Sequence, residues 1–466
     1  MEPLVMLSRL CKALDCQAKE VGEAEDWYEG EHPIPLPPPN TLAAHDQEAR
    51  IAYERMARLG VMNFLPAIVD TPASKLRVEG IRMSTGDRQA DADAWGIWQR
   101  NHLDADFALG VKTALTTGSA LALVWWDENQ RAQVSLEHPK QAIVWYEAGS
   151  RRKRKAGLKR WIDDNGYLCA TLYLPSWVYK YQSPVPESQM RSWKMANPNL
   201  PEWVQRKASA DEPWPLPHGL GVVPLVEVRA NGSLKPCPFG GGEPEFAGQI
   251  NDQRRINKTV LDMLTTMEYQ AYRQRWATGW GVPTNEDGTP DKHLTLKASA
   301  ASLMIFEDPD VKVGEFSQAD FTPFLTAVDR WVKAIAATSG TPPYAFLLGD
   351  MVNVAADSLA RIEGIQAAKV RNHARVFGEF AEEILRLALL VEQNPAAADV
   401  ASSIVWGDFE ERTATELAGL ATTMRDLSVP DEDVFAVLPG VDQQTAARWA
   451  AHKAATDLLF PAAPVP

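Results

Sequence analysis

From residue 357 to 393 apolar side chains return as Leu359, Ile362, Ile365, Val370, Phe377, Phe380, Ile384 and Leu387. That is the three-to-four spacing of one helix face, so the pattern predicts a helix of about 37 residues with Asp357 or Ser358 as its N-cap. Helical spacing, at intervals of three to five residues, also predicts helices over 1–25, over 46–70 (Ile51, Met56, Leu59, Phe64) and over 91–118 (Trp95, Trp98, Leu103, Phe107, Val111). It also predicts helices over 245–278 and 322–339, the second ending at Gly340, and three short ones over 411–427, 430–438 and 442–458. At about 1.5 Å per residue, the 245–278 helix would reach roughly 50 Å.

Between 120 and 228 the period changes. Ala120–Trp126, Ala142–Tyr146, Leu168–Leu174 and Val222–Val228 are short β-rich runs between turn residues, which reads as an antiparallel β region. The Pro- and Trp-dense stretch Ser183–Pro217 is expected to pack without regular structure. Pro33–Pro39 must run extended, because proline fixes φ and restricts its predecessor. Further β-like runs lie at 301–307, 311–316 and 403–406. Pro236–Pro244, with Gly240, Gly241 and Gly242, reads as a hinge. Helices this long leave an isolated monomer with flanks to cover, so copies of the same chain are the natural cover. Fold class is therefore α+β, without a solenoid repeat.

Composition narrows the class. A chain of 466 residues with 45% apolar and 23% charged residues is globular, and its net charge of −14 argues against a protein whose main task is gripping phosphates. No apolar run approaches the roughly 20 residues that span a bilayer, so no membrane association is expected. The start Met1-Glu2-Pro3 carries no secretory pattern. Cys11, Cys16, Cys169 and Cys237 are spread without CxxC spacing and are expected to be reduced thiols in a cytosolic compartment.

Candidate chemistry is sparse. No GxxxxGK[ST], HExxH or GxSxG occurs, and the eight histidines never pair at ligand spacing, so no metal, cofactor or catalytic residue is expected. The acid pairs Asp163-Asp164, Asp308 with Asp310, and Asp431 with Asp433 read as turn and capping residues. The sharpest charge anomaly is Arg151, Arg152, Lys153, Arg154 and Lys155. It is either a contact for a nucleic-acid backbone or an acidic partner, or a solvated hairpin tip offset by Asp163 and Asp164. Trp177, Trp193, Trp203 and Trp214 suit subunit packing better than sugar stacking.

Several islands in order carry a resemblance: Trp27-Tyr28-Glu29-Gly30 with His32; Asn63 through Val69-Asp70 to Leu76-Arg77-Val78-Glu79-Gly80; and Trp98 to Asp104. They continue with Ala114 to Gly118 leading into Val124, His218 to Pro224 with Asn231, Ile256-Asn257-Lys258 through Glu268 to Arg275-Trp276, and Val354 to Leu359. Over about residues 20–460 the chain resembles the portal proteins of long-tailed bacteriophages.

The resemblance implies a portal fold and a ring of subunits, usually twelve, at one capsid vertex of the virion. The ring would be a head–tail connector assembled in the host cytoplasm, and its channel would pass double-stranded DNA during packaging and ejection. It implies a wing at 1–243, stem helices at 244–278 and 321–340, and a β-containing clip at 279–320. It also implies a tunnel loop at 341–356, a long helix with a return strand at 357–410, and a crown at 411–466. Implied partners are the terminase large subunit, the head–tail adaptor, and the major capsid and scaffolding proteins. The tunnel-loop residues would be Pro342, Pro343, Tyr344, Phe346, Leu347, Leu348, Asp350 and Asn353, a notably apolar set. Replacing Phe346 to Leu348 with Ser is expected to spare ring assembly and impair packaging. An acidic ring repels DNA and limits friction, leaving Arg361, Lys369 and Arg371 either to touch DNA or to pair with Glu363 and Glu379 across helix turns. The rival is a cytosolic hydrolase or transferase with an unrecognised carboxylate site, recognisable by converging acids in a deep pocket.

Overall fold

The computed structural model describes residues 2–466 apart from 85, 87, 198–201, 208, 210, 234–238, 240, 272–274, 279–311, 316–319, 347–355, 411–413, 439, 440, 442 and 460–466. Much of the expected clip, the tunnel-loop residues Leu347, Leu348, Asp350 and Asn353, and Cys237 lie outside the described residues. Two compact units form, one from 1–32, 63–253 and 333–466, the other from 33–62 and 254–332.

The first unit opens with α1 (Pro3–Glu29), longer than the predicted 1–25, so Trp27 is its buried last turn and Gly30 at φ 88° closes it. Helix α2 (Gln47–Leu59), which belongs to the other unit, is capped by the Asp46 side chain on the Ala49 N–H at 2.9 Å. The expected continuous 46–70 helix breaks there and restarts as α3 (Leu65–Ala73). Pro66 explains the restart, since a ring without an N–H fits the first turn of a helix and not its interior. After β1 (Val78–Arg82) the expected 91–118 helix is likewise two, α4 (Arg88–Arg100) and α5 (Leu103–Thr117), broken where His102 adopts a left-handed φ of 54°.

The β region follows as β2 (Ser119–Trp126), β3 (Ala132–Glu137), β4 (Ala142–Tyr146), β5 (Arg154–Ile162), β6 (Tyr167–Tyr173) and β7 (Trp177–Pro186). Beyond these, 187–217 is more ordered than expected: it holds α6 (Glu187–Ala196), β8 (Val204–Gln205) and β9 (Leu216–Pro217), before β10 (Leu225–Arg229). An antiparallel six-stranded sheet runs β4-β5-β6-β7-β8, with β9 on β7, and a second runs β10-β2-β3. All five residues of β4 are buried, and period-two alternation splits them between two cores. Ile143 and Trp145 meet Leu7, Leu10 and Leu14 of α1, while Ala142, Val144 and Tyr146 meet Leu121, Val223 and Leu225. Within the chain, Trp214 stands edge-on to Tyr179 and Tyr181 at 5.3 and 5.5 Å, and Trp203 packs on the α1 core.

Helix α7 (Ile250–Ala271) stops well short of the predicted 278, and β11 (Arg275–Thr278) pairs antiparallel with β12 (Lys312–Glu315). The partner strand lies more than thirty residues away, beyond any local periodicity. Helix α8 (Thr322–Ser339) has the predicted bounds, and Gly340 takes φ 64°. Helix α9 (Ala356–Val391) is about 54 Å long at 1.5 Å per residue. Asp357 and Ser358 lie inside its first turn rather than capping it. Val370, Phe377, Ile384 and Leu387 are fully buried, whereas Ile365, counted in the stripe, is 60% exposed. Phe107 of α5 stacks between Trp98, Phe380 and Trp406 at 5.1–6.4 Å. Strand β13 (Ser403–Trp406), also as predicted, pairs with β1, and α10 (Ala414–Asp426), α11 (Asp431–Ala436) and α12 (Gln443–Leu459) finish the unit.

In the second unit α2 packs on α7. A Cβ on Gly60 would sit 3.3 Å from the Leu261 backbone nitrogen, Asn257 Oδ1 accepts from the Met62 N–H at 3.4 Å, and Arg255 covers the Trp331 ring at 5.1 Å.

The Gly240–Gly242 cluster is a contact more than a hinge in its described part. A Cβ on Gly242 would overlap the Gly118 carbonyl, and one on Gly118 would lie 2.7 Å from Gly242 C and O. Two chain segments cross here at glycine distance only.

Candidate functional site

The basic run forms the β4–β5 hairpin tip and the start of β5. Gly149 takes φ 80°, and Ser150 Oγ accepts from the Lys153 N–H at 2.9 Å. Its charges are not offset by Asp163 and Asp164, which the structure places at the opposite end of β5, where Asp163 Oδ1 accepts from the Tyr167 N–H at 2.8 Å. Two of them turn onto α9 instead. Arg152 pairs with Glu379 at 2.9 Å and Arg154, only 9% exposed, pairs with Glu383, which also takes the Arg386 guanidinium at 2.7 and 2.8 Å. Lys153 binds Glu147 at 2.9 Å, Lys155 Nζ sits 4.4 Å over Trp145, and Arg151 donates to the Ser233 carbonyl.

An open cleft of about 730 Å³ separates this tip and β10 from α9 and residues 399–402. Arg151, Arg152, Arg154, Arg229, Arg375 and Arg386 face it, with the carboxylates Glu227, Glu379, Glu382, Glu383 and Asp399 among them. Burial pushes the Glu383 carboxyl up, but the hydrogen bond from Arg386 and the charge of Arg154 outweigh it and hold it below the usual carboxylate range. Glu382 goes the other way: burial raises it, the Ile404 N–H pulls it back, and the neighbouring Glu379 adds to the rise.

A second cluster lies where α9 passes the chain before α7 and after α8. Glu245, with its side chain 6% exposed, accepts from Asn231 Nδ2 at 2.6 Å, Lys369 Nζ at 2.7 Å and His373 Nε2 at 3.2 Å. Burial raises its carboxyl, but the His373 hydrogen bond and the Lys369 charge win and hold it at about 2. Lys369 Nζ also donates to the Ser339 carbonyl at 2.9 Å, a cation at the C-terminus of α8.

Neither Lys369 nor Arg371 pairs with Glu363 or Glu379. Lys369 serves Glu245, Arg371 reaches Glu410 at 2.6 Å, and the Arg361 side chain lies outside the described residues. Of the expected tunnel-loop residues, Pro343, Tyr344 and Phe346 lie in a 3-10 turn, Pro343–Phe346, which Pro342 precedes. Phe346 is buried against Phe64 at 6.2 Å, and the Tyr344 hydroxyl reaches Gln366 Oε1 at 3.4 Å. The acid pairs do not converge: Asp431 binds Lys453, Asp433 binds Arg82, and Asp308 and Asp310 lie outside the described residues. Among the described residues no His, Cys, Asp or Glu group could hold a metal ion, no helix is long and apolar enough to cross a membrane, and Cys11, Cys16 and Cys169 are free.

Sequence reasoning missed both carboxylate partners. Glu379, Glu382, Glu383 and Arg386 form a charged ribbon beside the apolar stripe of α9, and that ribbon was the available signal. Glu245 gave none, lying alone between Pro244 and Phe246.

Residues 8–457 match the family model described as "Phage portal protein, SPP1 Gp6-like". The portal protein of Mycobacterium phage L5 is 26% identical over 449 residues, covering 91% of this chain and 82% of that protein. The portal protein of Mycobacterium phage D29 is 27% identical over 446 residues, with the same 91% and 82%.

Proposed function

Because the chain belongs to the SPP1 Gp6-like family of phage portal proteins, we propose that it assembles as a closed ring at a capsid vertex and lines the passage for double-stranded DNA. The observation that carries this is the family match itself, which spans the β region, both stem-length helices and α9 without a break. In that ring residues 1–243 serve as wing, α7 and α8 as stem, 279–320 as clip, and 411–466 as crown. The clip docks the terminase large subunit and later the head–tail adaptor, and capsid and scaffolding proteins surround the wing. The chain acts as a conduit with no chemistry of its own, the energy for translocation coming from the docked motor.

The charge distribution supports sliding over gripping. A net charge of −14 per subunit keeps the field of a ring repulsive to DNA, and Lys369 is engaged by Glu245 rather than free to bind phosphate. Arg371, half-exposed on α9, is likewise paired, with Glu410 at 2.6 Å. Native mass spectrometry of the purified chain tests assembly: twelve copies of 51.5 kDa give about 618 kDa. A monomer at every concentration overturns the proposal.

A further inference from the structure

The geometry points to a second copy of this chain as the occupant of the arginine-lined cleft beside α9, docked through an acidic surface that carries apolar side chains. This rests on ring assembly, and it names the surface that the neighbouring subunit covers.

Three observations converge. Arg151 and Arg375 meet no carboxylate among the described residues: Arg151 donates to a backbone carbonyl, and Arg375 reaches only Asn372 Oδ1 at 3.4 Å. The Arg152–Glu379 pair is 86% and 62% exposed, so it contributes little and can be re-paired. Apolar surface adjoins these guanidiniums, with Val400 88% and Val376 40% exposed at the cleft. Ile365, on the same face of α9 and roughly 16 Å along it, extends the strip at 60% exposure.

Charge selects the occupant. Six arginines against five carboxylates leave the cleft one charge positive, so the remainder of a chain with net charge −14 carries −15. Any other copy is therefore net acidic outside its own cleft. Ring closure requires different patches of two copies to meet, which a basic cleft and an acidic exterior satisfy without self-complementarity. A DNA backbone fits less well: its phosphates would face Glu379, Glu382 and Glu383 interleaved with the arginines, and duplex offers nothing to cover Val376 and Val400.

The test is sedimentation of full-length wild type, the double variant Arg151→Glu/Arg375→Glu, and Val400→Asp, over a range of salt and protein concentration. Wild type should assemble, and each variant should need about tenfold or more higher concentration to do so. Melting temperature should hold, because the altered side chains have no carboxylate partner or are solvent-exposed. If the double variant fails to fold, Arg375→Gln and Val400→Asp decide the matter. Equal assembly of wild type and variants overturns this inference and leaves the ring standing; a monomeric wild type overturns both. Loss of duplex binding with assembly unchanged also overturns it, and assigns the cleft to nucleic acid.

Discussion

Glu245→Gln removes the charge that holds Asn231, Lys369 and His373 together. Its carboxyl lies at about 2 against an ordinary 4.5, and at 1.36 kcal/mol per unit that difference is worth roughly 3 kcal/mol of stability. The figure agrees with the roughly 3–5 kcal/mol lost when one partner of a buried ion pair is removed, since Glu245 is 6% and Lys369 18% exposed. The folded value is depressed, so this stability is fully present above the unfolded value near 4.5 and is lost as pH falls from about 5 toward 2. Urea unfolding of wild type and Glu245→Gln at pH 7, 5, 4 and 3 checks both parts. The variant should be weaker by roughly 3 kcal/mol at pH 7, and the gap should shrink steadily below pH 5. Equal stabilities at pH 7, or a gap that stays constant down to pH 3, would refute the argument that the carboxylate charge is what the cluster uses.

Other outcomes follow from single contacts. Arg154→Ala, at a side chain 9% exposed, should cost about 2 kcal/mol, the loss of one buried charged hydrogen bond, because Arg386 still pairs with Glu383, while Arg152→Ala, 86% exposed, should cost under about 1 kcal/mol; parallel melts separate them. Gly118→Ala should lower the melting temperature sharply, because φ 93° and the Gly242 backbone leave no room for a Cβ; a melt within a degree of wild type contradicts the close crossing. Phe346→Ala should cost about 3 kcal/mol by opening a cavity against Phe64, read by denaturant unfolding of the full-length chain beside wild type.

Elements whose signal is local were legible in the chain. Helix α8, strand β4 and strand β13 have the expected bounds, because each is a run of local pattern closed by its own neighbours, such as Gly340. Breaks inside predicted helices were harder: Pro66 marks one, but His102 turning left-handed follows from packing and not from its type. The end of α7 was not legible because β11 depends on β12, a distant strand. The basic run stood out as a charge anomaly, yet its partners Glu379 and Glu383 lie more than 220 residues away. Asp163 and Asp164 were nearer in sequence and wrong, since the length of β5 carries them away from the tip. Sequence left Lys369 between DNA and the helix-turn carboxylates Glu363 and Glu379; its partner in the fold, Glu245, shows no pattern at all.

Particle imaging of the purified chain addresses the central claim most directly. A portal subunit should give closed rings with an open central hole, each copy contributing stem helices around it. Compact single particles of 51.5 kDa, with no rings at any concentration, would contradict it.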